Sequence, residues 1–400
     1  MIETDFSPSM LAGADDPYAL LAAERAKGPV LRSPGGCLVL GYAEANTLLR
    51  SGKTRSGFAA DLYRSVLPEG AARDEMSHRI NFLDPPDHPR VRSLVGKAFT
   101  PRRVSALAPR IVECCRALLE PLAGSAAVDL IPAFAHQVPS LVISELLGVP
   151  IEDRDRLTDW SDRVSRLLGA GAFDEEGRVD ALEAAEQMHA YLRELAAERR
   201  ARPRDDLLSA LLAAEDDGAR LSESELLSLA ATLYSAGHRT TRDLFSNGLA
   251  TLLSDASATA DLRAGRVGVD AVVEEFLRFE TPTHYVARMT TEPLELGGDV
   301  VPTDQPVVVV LASANRDERT YDRADRFEPR RWTDDPSPPA ISFAFGAHFC
   351  IGASLARLEA ATMLTAVFDV FPRVRLAGEP LRWRHTGLFR GLESLPLALD

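Results

Sequence analysis

The stretch Phe343-Ala344-Phe345-Gly346-Ala347-His348-Phe349-Cys350-Ile351-Gly352 sets a cysteine just ahead of a helix-like segment carrying Leu355, Ala356, Arg357 and Glu359. A thiol at a helix N-terminus meets the positive end of the helix dipole, so its thiolate form is favoured and becomes a ready metal ligand. Gly346 and Gly352 let the backbone approach a flat cofactor closely, and N–H groups beside the sulfur would tune a bound iron. A cysteine alone on an apolar loop is more often a core residue, so the rest of the chain has to decide. Glu275 and Arg278 stand at i, i+3 and share a helix face. In Asp84-Pro-Pro-Asp-His88-Pro-Arg-Val-Arg92, His88 and Arg92 are one turn apart and can face one carboxylate, which the planar fork of arginine binds well. Ala236-Gly237-His238-Arg239-Thr240-Thr241 puts a glycine inside a helix, at a cost of about 1 kcal/mol relative to alanine, and a hydroxyl three residues later.

In this order along the chain, these motifs resemble those of the cytochrome P450 superfamily, in its bacterial, ferredoxin-dependent form. The cysteine loop is similar to Phe-Gly-x-Gly-x-His-x-Cys-x-Gly, with Ala344 where the first glycine usually sits. Glu275-Phe-Leu-Arg278 matches the family's Glu-x-x-Arg, and Ala314-Asn315-Arg316-Asp317 with Asp325-Arg326-Phe327 match the segment before the loop. The likeness runs from the first hairpin to Leu388-Phe389-Arg390-Gly391. It implies a haem b cofactor (iron protoporphyrin IX) with Cys350 as the axial iron ligand. It implies cofactor contacts from His88, Arg92, Arg288, Phe343, Gly346, His348 and Gly352, several of them cations facing the two propionates. Glu275 and Arg278 become a buried structural pair joined by Arg331 or Arg330. Ala236 and Gly237 become an oxygen groove beside the iron, and Thr240 the hydroxyl that assists proton delivery. By motif position, the 57–80 loop, Thr232, Ser235, Ala236, His284 to Val286, Leu388 and Phe389 line the substrate pocket.

One residue departs from the pattern where it matters for the reaction. Family members usually carry Asp or Glu at the position of Arg239, and arginine cannot shuttle protons. The first reading is that Arg239 turns to solvent or an ion pair, while water and Thr240 deliver protons more slowly. The second gives Arg239 an anionic group of the substrate to hold. The third is a peroxide-driven enzyme, against which stands Thr240, absent from the fatty-acid peroxygenases of this superfamily. A non-catalytic haem sensor or recruitment protein is a further class that Arg239 alone favours. His238 is expected to pack between helices.

The elements that must position these residues are mostly helical. Residues 30–40 read as a hairpin around Ser33-Pro34-Gly35-Gly36. Ser222 and Glu225 form a capping-box pattern ahead of an apolar run to about Leu253, long enough for a central helix. A helix around Val272 to Phe279 stops before Thr281-Pro282. Leu294 to Gly298 and Val307 to Leu311 read as strands, Ile351 to about Phe371 as a helix, and Leu388 to Leu399 as a closing hairpin. The fold class expected is mainly α with a minor β subdomain. The resemblance makes it one triangular haem domain over 1–400, with a long central helix over the haem.

The formal net charge of −14 argues against a general nucleic-acid binder. The start of the chain lacks a signal-like apolar core, and no stretch has the length of a membrane span. Four irregularly spaced cysteines, Cys37, Cys114, Cys115 and Cys350, fit a reduced cytoplasm better than a disulfide framework. No His-Glu-x-x-His, P-loop or Ser-His-Asp pattern competes. The expected protein is a cytoplasmic monomer taking a small-molecule substrate. No flavin or iron–sulfur segment is seen in the sequence, and the resemblance implies electrons from a separate ferredoxin and ferredoxin reductase, with Arg102, Arg103 and Arg357 as candidate docking contacts.

Overall fold

The computed structural model describes residues 1–168, 175–216, 218–333, 337–385 and 387–399. Strands β1 (Ile2–Glu3), β2 (Val30–Ser33) and β3 (Gly36–Val39) open the chain, followed by helix α1 (Tyr42–Arg50). Helices α2 (Ala71–His78) and α3 (Asp87–Ala98) precede α4 (Gln137–Leu147) and α5 (Glu175–Ala201). Helix α6 (Glu223–Ser254) has 32 residues, about 48 Å at the usual rise. Helix α7 (Val269–Phe279), strands β4 (Val286–Thr290) and β5 (Pro306–Val309), and helix α8 (Ala353–Val370) complete the frame. The molecule is mostly helical with small β-sheets, as expected.

The chain forms two compact units. One comprises Met1–Thr54, Pro109–Val138 and Thr240–Asp400, the other Arg55–Ala108 and Pro139–Arg239. In the first, five strands are hydrogen-bonded neighbours in the order β1-β2-β3-β5-β4. The predicted hairpin is present, pairing Val30 with Val39 and Ser33 with Gly36. Gly36 adopts φ +130°, and a Cβ there would sit 2.2 Å from the carbonyl oxygen of Pro306, so no other residue fits that turn. Strand β5 runs parallel to β3, pairing Cys37 with Val307 and Val39 with Val309. Val30, Val39, Leu48, Val307, Val309 and Ile341 bury together in one apolar cluster between this sheet and α1. The second unit is built on helices. Ala181, Ala184 and Ala185 of α5 give it a flat face that packs near Met76 and Leu167 in a second cluster.

Helix α6 begins with the expected capping box. The Ser222 amide donates to Glu225 at 2.8 Å, and the Glu225 amide donates to the Ser222 hydroxyl at 3.3 Å. Its residues to Arg239 belong to the second unit and those from Thr240 to the first. Among the described residues no helix is long and apolar enough to cross a membrane.

Three expectations need correction. The 57–80 segment is two helices, Phe58–Val66 and α2, with a short connection. The strand read as ending at Leu311 stops at Val309, and Leu311 starts a short helix. The closing hairpin does not form. Arg390–Leu392 pairs with Trp383–His385, while Pro396–Ala398 lies between Arg375–Leu376 and Ala127–Asp129. Leu395 separates the two: its amide donates to Asp129 at 2.8 Å and its carbonyl accepts from Leu130 at 2.9 Å, drawing the chain onto a different sheet.

Candidate haem-thiolate active site

Cys350 lies two residues before Gly352, the N-cap of α8. The loop ahead of it closes on itself: the Cys350 amide donates to the Phe343 carbonyl at 3.1 Å, and the Phe349 amide to that of Gly346 at 3.1 Å. Of the four cysteines Cys350 is exposed and the other three are buried. Burial, with help from Cys114 and Glu359, pushes the Cys115 thiol up to about 12, and burial raises that of Cys37. The one thiol open to an incoming ligand is therefore the one at a helix N-terminus. Gly352 has ordinary φ (−81°), and a Cβ on it would lie 3.9 Å from the Cys350 sulfur. Its missing side chain keeps the flank of the sulfur open, as an axial ligand requires.

The other glycine has a different reason from the one expected. Gly346 sits at φ +74°, and a Cβ there would be 2.1 Å from the carbonyl oxygen of Leu49. The close approach is to the C-terminal turn of α1, which supports the loop from behind. Arg50 of the same turn lies over the Phe345 ring at 4.6 Å. The departure at Ala344 carries strain: its φ is +56° and its ψ −166°, a region used almost only by glycine. Phe343 is half-buried and lies under the Arg357 guanidinium at 4.8 Å. Arg357 also pairs with Glu274. It thus braces the cysteine loop, a role not expected from the sequence. Arg103 pairs with Asp205 at 3.1 Å, and Arg102 is exposed. His348 is half-buried in the same loop.

Glu275 and Arg278 are fully buried, with 2.7 and 2.8 Å between their hydrogen-bonding atoms. Arg278 also donates to the carbonyls of Asn315, Ala324 and Arg326 at 3.0, 2.8 and 2.7 Å. Glu275 accepts from the Glu328 amide at 2.7 Å and the Trp332 indole at 2.9 Å, and meets Arg331 at 3.2 Å. Burial would raise the Glu275 carboxyl, but the hydrogen bonds and charge of Arg278, with Arg331, hold it below its ordinary value. Of the two arginines left open by the sequence, Arg331 joins this cluster and Arg330 pairs with Asp261 at 2.7 Å.

On α6, Thr232 and Ser235 are buried, while Ala236 is exposed in mid-helix and Gly237, Arg239 and Thr240 are intermediate. Thr232, Ser235, Ala236 and Arg239 follow i, i+3, i+4, i+7 spacing, so they form one stripe, and Ala236 marks where that stripe opens. Gly237 faces elsewhere: its Cβ would be 2.9 Å from the Ile143 side chain on α4. Close packing against α4 is one reason for this glycine. His238 is 1% exposed, with Nδ1 2.9 Å from the Tyr234 carbonyl and Nε2 3.4 Å from Asp162, a packed histidine as expected.

His88 is 4% exposed on α3, with Arg92 half-buried one turn on. Asp84, ahead of them, accepts from the amides of Ser56 and Gly57 at 2.7 and 2.8 Å. Arg288 is 8% exposed at the centre of β4, beside half-buried Val286. Leu388 and Phe389 are half-buried, Phe389 bridging Thr283. The His284 ring is 3% exposed and packs 6.0 Å from the Tyr18 ring. Burial first, then Arg390 and Arg316, push it down to about 3. It is a neutral core residue, so its side chain offers no open wall.

The residues of the first unit fit a haem: an accessible thiol at a helix N-terminus, an open flank at Gly352, a buried arginine at Arg288 and a half-buried His348. Residues 267–374 match the family model described as Cytochrome P450. The chain is 42% identical over 331 residues to Cytochrome P450 107B1 of Saccharopolyspora erythraea, covering 82% of this chain and 78% of that one. It is 38% identical to the cytochrome P450 monooxygenase PikC of Streptomyces venezuelae, over 96% of this chain and 91% of PikC. The crystal structure of P450BioI with a hexadec-9Z-enoic acid ligated acyl carrier protein superposes with a TM-score of 0.87 at 32% identity, covering 96% of this chain and 99% of that one. Sequence, fold and the thiolate loop agree that this chain belongs to the cytochrome P450 family and is a haem b monooxygenase.

Proposed function

We propose that the protein hydroxylates or epoxidises a small hydrophobic, natural-product-like molecule, using O2 and electrons from a separate ferredoxin and ferredoxin reductase. On this reading residues 1–400 act as one haem domain, a cytoplasmic monomer. The observation that carries it is the exposed Cys350 thiol at the N-terminus of α8, in a loop braced by Leu49 and Arg357. When bound, the haem supplies the oxidation of a C–H or C=C bond, with thiolate electron density favouring O–O cleavage.

The chain's own residues do the rest. Cys350 ligates the iron, and Phe343, Gly346 and Gly352 shape the loop that presents it. His88, Arg92, Arg288 and His348 offer cations to the two propionates. Thr232, Ser235, Ala236, Val286, Leu388 and Phe389 border the substrate, and Gly237 sets how closely α6 packs. Thr240 offers a hydroxyl for proton delivery. Arg239 stays charged and cannot relay protons, so water acting with Thr240 hands them on. The same arginine supports a second reading, a peroxide-dependent enzyme or one that holds an anionic substrate. The complex of P450BioI with a hexadec-9Z-enoic acid ligated acyl carrier protein supports acyl groups, free or carrier-bound, as candidate substrates here.

Wild-type and Arg239→Glu proteins would be assayed with ferredoxin, reductase and NADPH, and separately with peroxide, against compounds chosen by their haem spin shift. Product with the ferredoxin system, faster in Arg239→Glu, is expected. Robust peroxide turnover with none from ferredoxin overturns the first reading. No product under either condition favours a sensor.

A further inference from the structure

Arg79 lies within the 57–80 segment expected to line the pocket, though nothing there singled it out; it is 3% exposed in the second unit, directly after α2. Its Nη1 donates to Glu75 Oε1 at 2.8 Å, and its Nη2 donates to the Ser235 hydroxyl on α6 at 3.1 Å. Its Nε is buried and has no partner among the described residues. Nε–H and Nη2–H form one edge of the guanidinium, the edge that grips a planar oxygen pair. Half of that edge is taken by a hydroxyl and half by nothing.

Four neighbouring atoms share this state, Glu75 Oε2 and His189 Nε2 on the side of the ion pair and two hydroxyls on the side of α6. Thr232 Oγ1, one turn before Ser235, and Ser77 Oγ, two residues before Arg79, are buried without partners among the described residues. Ser235 donates to the Thr232 carbonyl at 3.1 Å, so toward Arg79 it acts as acceptor. Leaving such groups unsatisfied carries the full desolvation penalty of each. A brace between α2 and α6 would need only Nη1 and Nη2. Glu75 gives Arg79 one carboxylate oxygen and turns the other toward His189, whose Nε2 is 3.5 Å away, so the Nε edge of Arg79 is left to another acceptor. Burial lowers the Arg79 pKa against the pull of Glu75. Ser235 adjoins exposed Ala236, which sets the cluster at the margin of the open stripe of α6.

We propose that Arg79, with Thr232 beside it, is the specificity-determining anchor of the substrate site and receives a carbonyl or carboxylate oxygen of the substrate. This rests on the reading that the substrate lies along the open stripe of α6. The charged edge of Arg79 selects for an sp² oxygen. Hydrocarbon skeletons without one leave the cluster unsatisfied.

The test uses the haem-loaded full chain and three probes of one length: dodecanoic acid, methyl dodecanoate and dodecane. Dissociation constants come from the Soret shift and from calorimetry, in wild type, Arg79→Gln and Thr232→Val. Wild type is expected to bind the acid or ester at least about ten-fold tighter than the hydrocarbon, the scale of one hydrogen bond to a charged donor. Acid over ester identifies a carboxylate, and equal binding a carbonyl. Arg79→Gln should bring all three within about two-fold while leaving hydrocarbon affinity and the CO-complex spectrum unchanged. Thr232→Val, which leaves Arg79 in place, should lose part of the discrimination and serves if Arg79→Gln folds poorly. Equal or absent binding of the three probes by wild type, or discrimination that survives both variants, overturns the proposal. A wild type that discriminates but yields no product with ferredoxin would instead overturn the reaction assignment alone.

Discussion

Among the described residues, the buried pairs Glu275–Arg278 and Glu75–Arg79 are completed in different ways. Glu275 and Arg278 of α7 are both 0% exposed, and every neighbour contributes to them: three backbone carbonyls, an amide, an indole and Arg331. Glu75 and Arg79 are almost as deeply buried, at 1% and 4% of side-chain exposure, yet Arg79 Nε lacks a partner among the described residues. Burying charges is costly unless each is paired and hydrogen-bonded. A closed pair can only hold the fold, whereas an open one has an interaction left to make. Degree of satisfaction, more than burial or residue type, separates structure from recognition here.

The largest effect that would test this contrast is on α7. Arg278→Ala should destabilise by about 3–5 kcal/mol, because it strands a fully buried carboxylate, and it should cut haem retention. Urea unfolding and the haem-to-protein absorbance ratio measure both. Arg79→Gln keeps a donor for Glu75 and should cost less, about 1–3 kcal/mol. A larger loss than in Arg278→Ala would erase the distinction between the two pairs.

A third buried group sharpens the comparison through pH. His284 has a folded pKa pushed down from 6.5 to about 3, so the fold holds it neutral. Its contribution is present above pH 6.5 and is lost progressively as pH falls toward 3, because the unfolded state takes the proton first. From pH 6.5 to 5 the loss amounts to about 2 kcal/mol. His284→Leu should flatten the urea-unfolding profile over that interval, and an unchanged slope would remove His284 as its source.

The smallest effect concerns Ala344. Ala344→Gly removes a left-handed non-glycine residue and should stabilise by about 1 kcal/mol, read as a rise in melting temperature. No rise would mean that the lost methyl packing offsets the strain.

What could be read from the sequence was local and periodic. The capping box at Ser222 and Glu225, the 30–40 hairpin and the Glu275–Arg278 spacing each depend on residues a few positions apart, and each formed. The cysteine loop was legible as a motif, but the reason for one of its glycines was not. Gly346 answers to Leu49, which lies far away along the chain. The strands near the C-terminus were misread for the same reason, since Asp129 diverts Leu395. Within the 57–80 segment Arg79 could not be singled out, because its meaning depends on Ser235, 156 residues away, and on an N–H that no pattern of residue types reveals.

The account stands most directly on Cys350. The reduced, carbon monoxide-bound protein should absorb at the position characteristic of thiolate-ligated haem. Cys350→Ser, folded by circular dichroism, should lose that band while Cys115→Ser keeps it. A Cys350→Ser protein that retained the thiolate band would contradict the assignment.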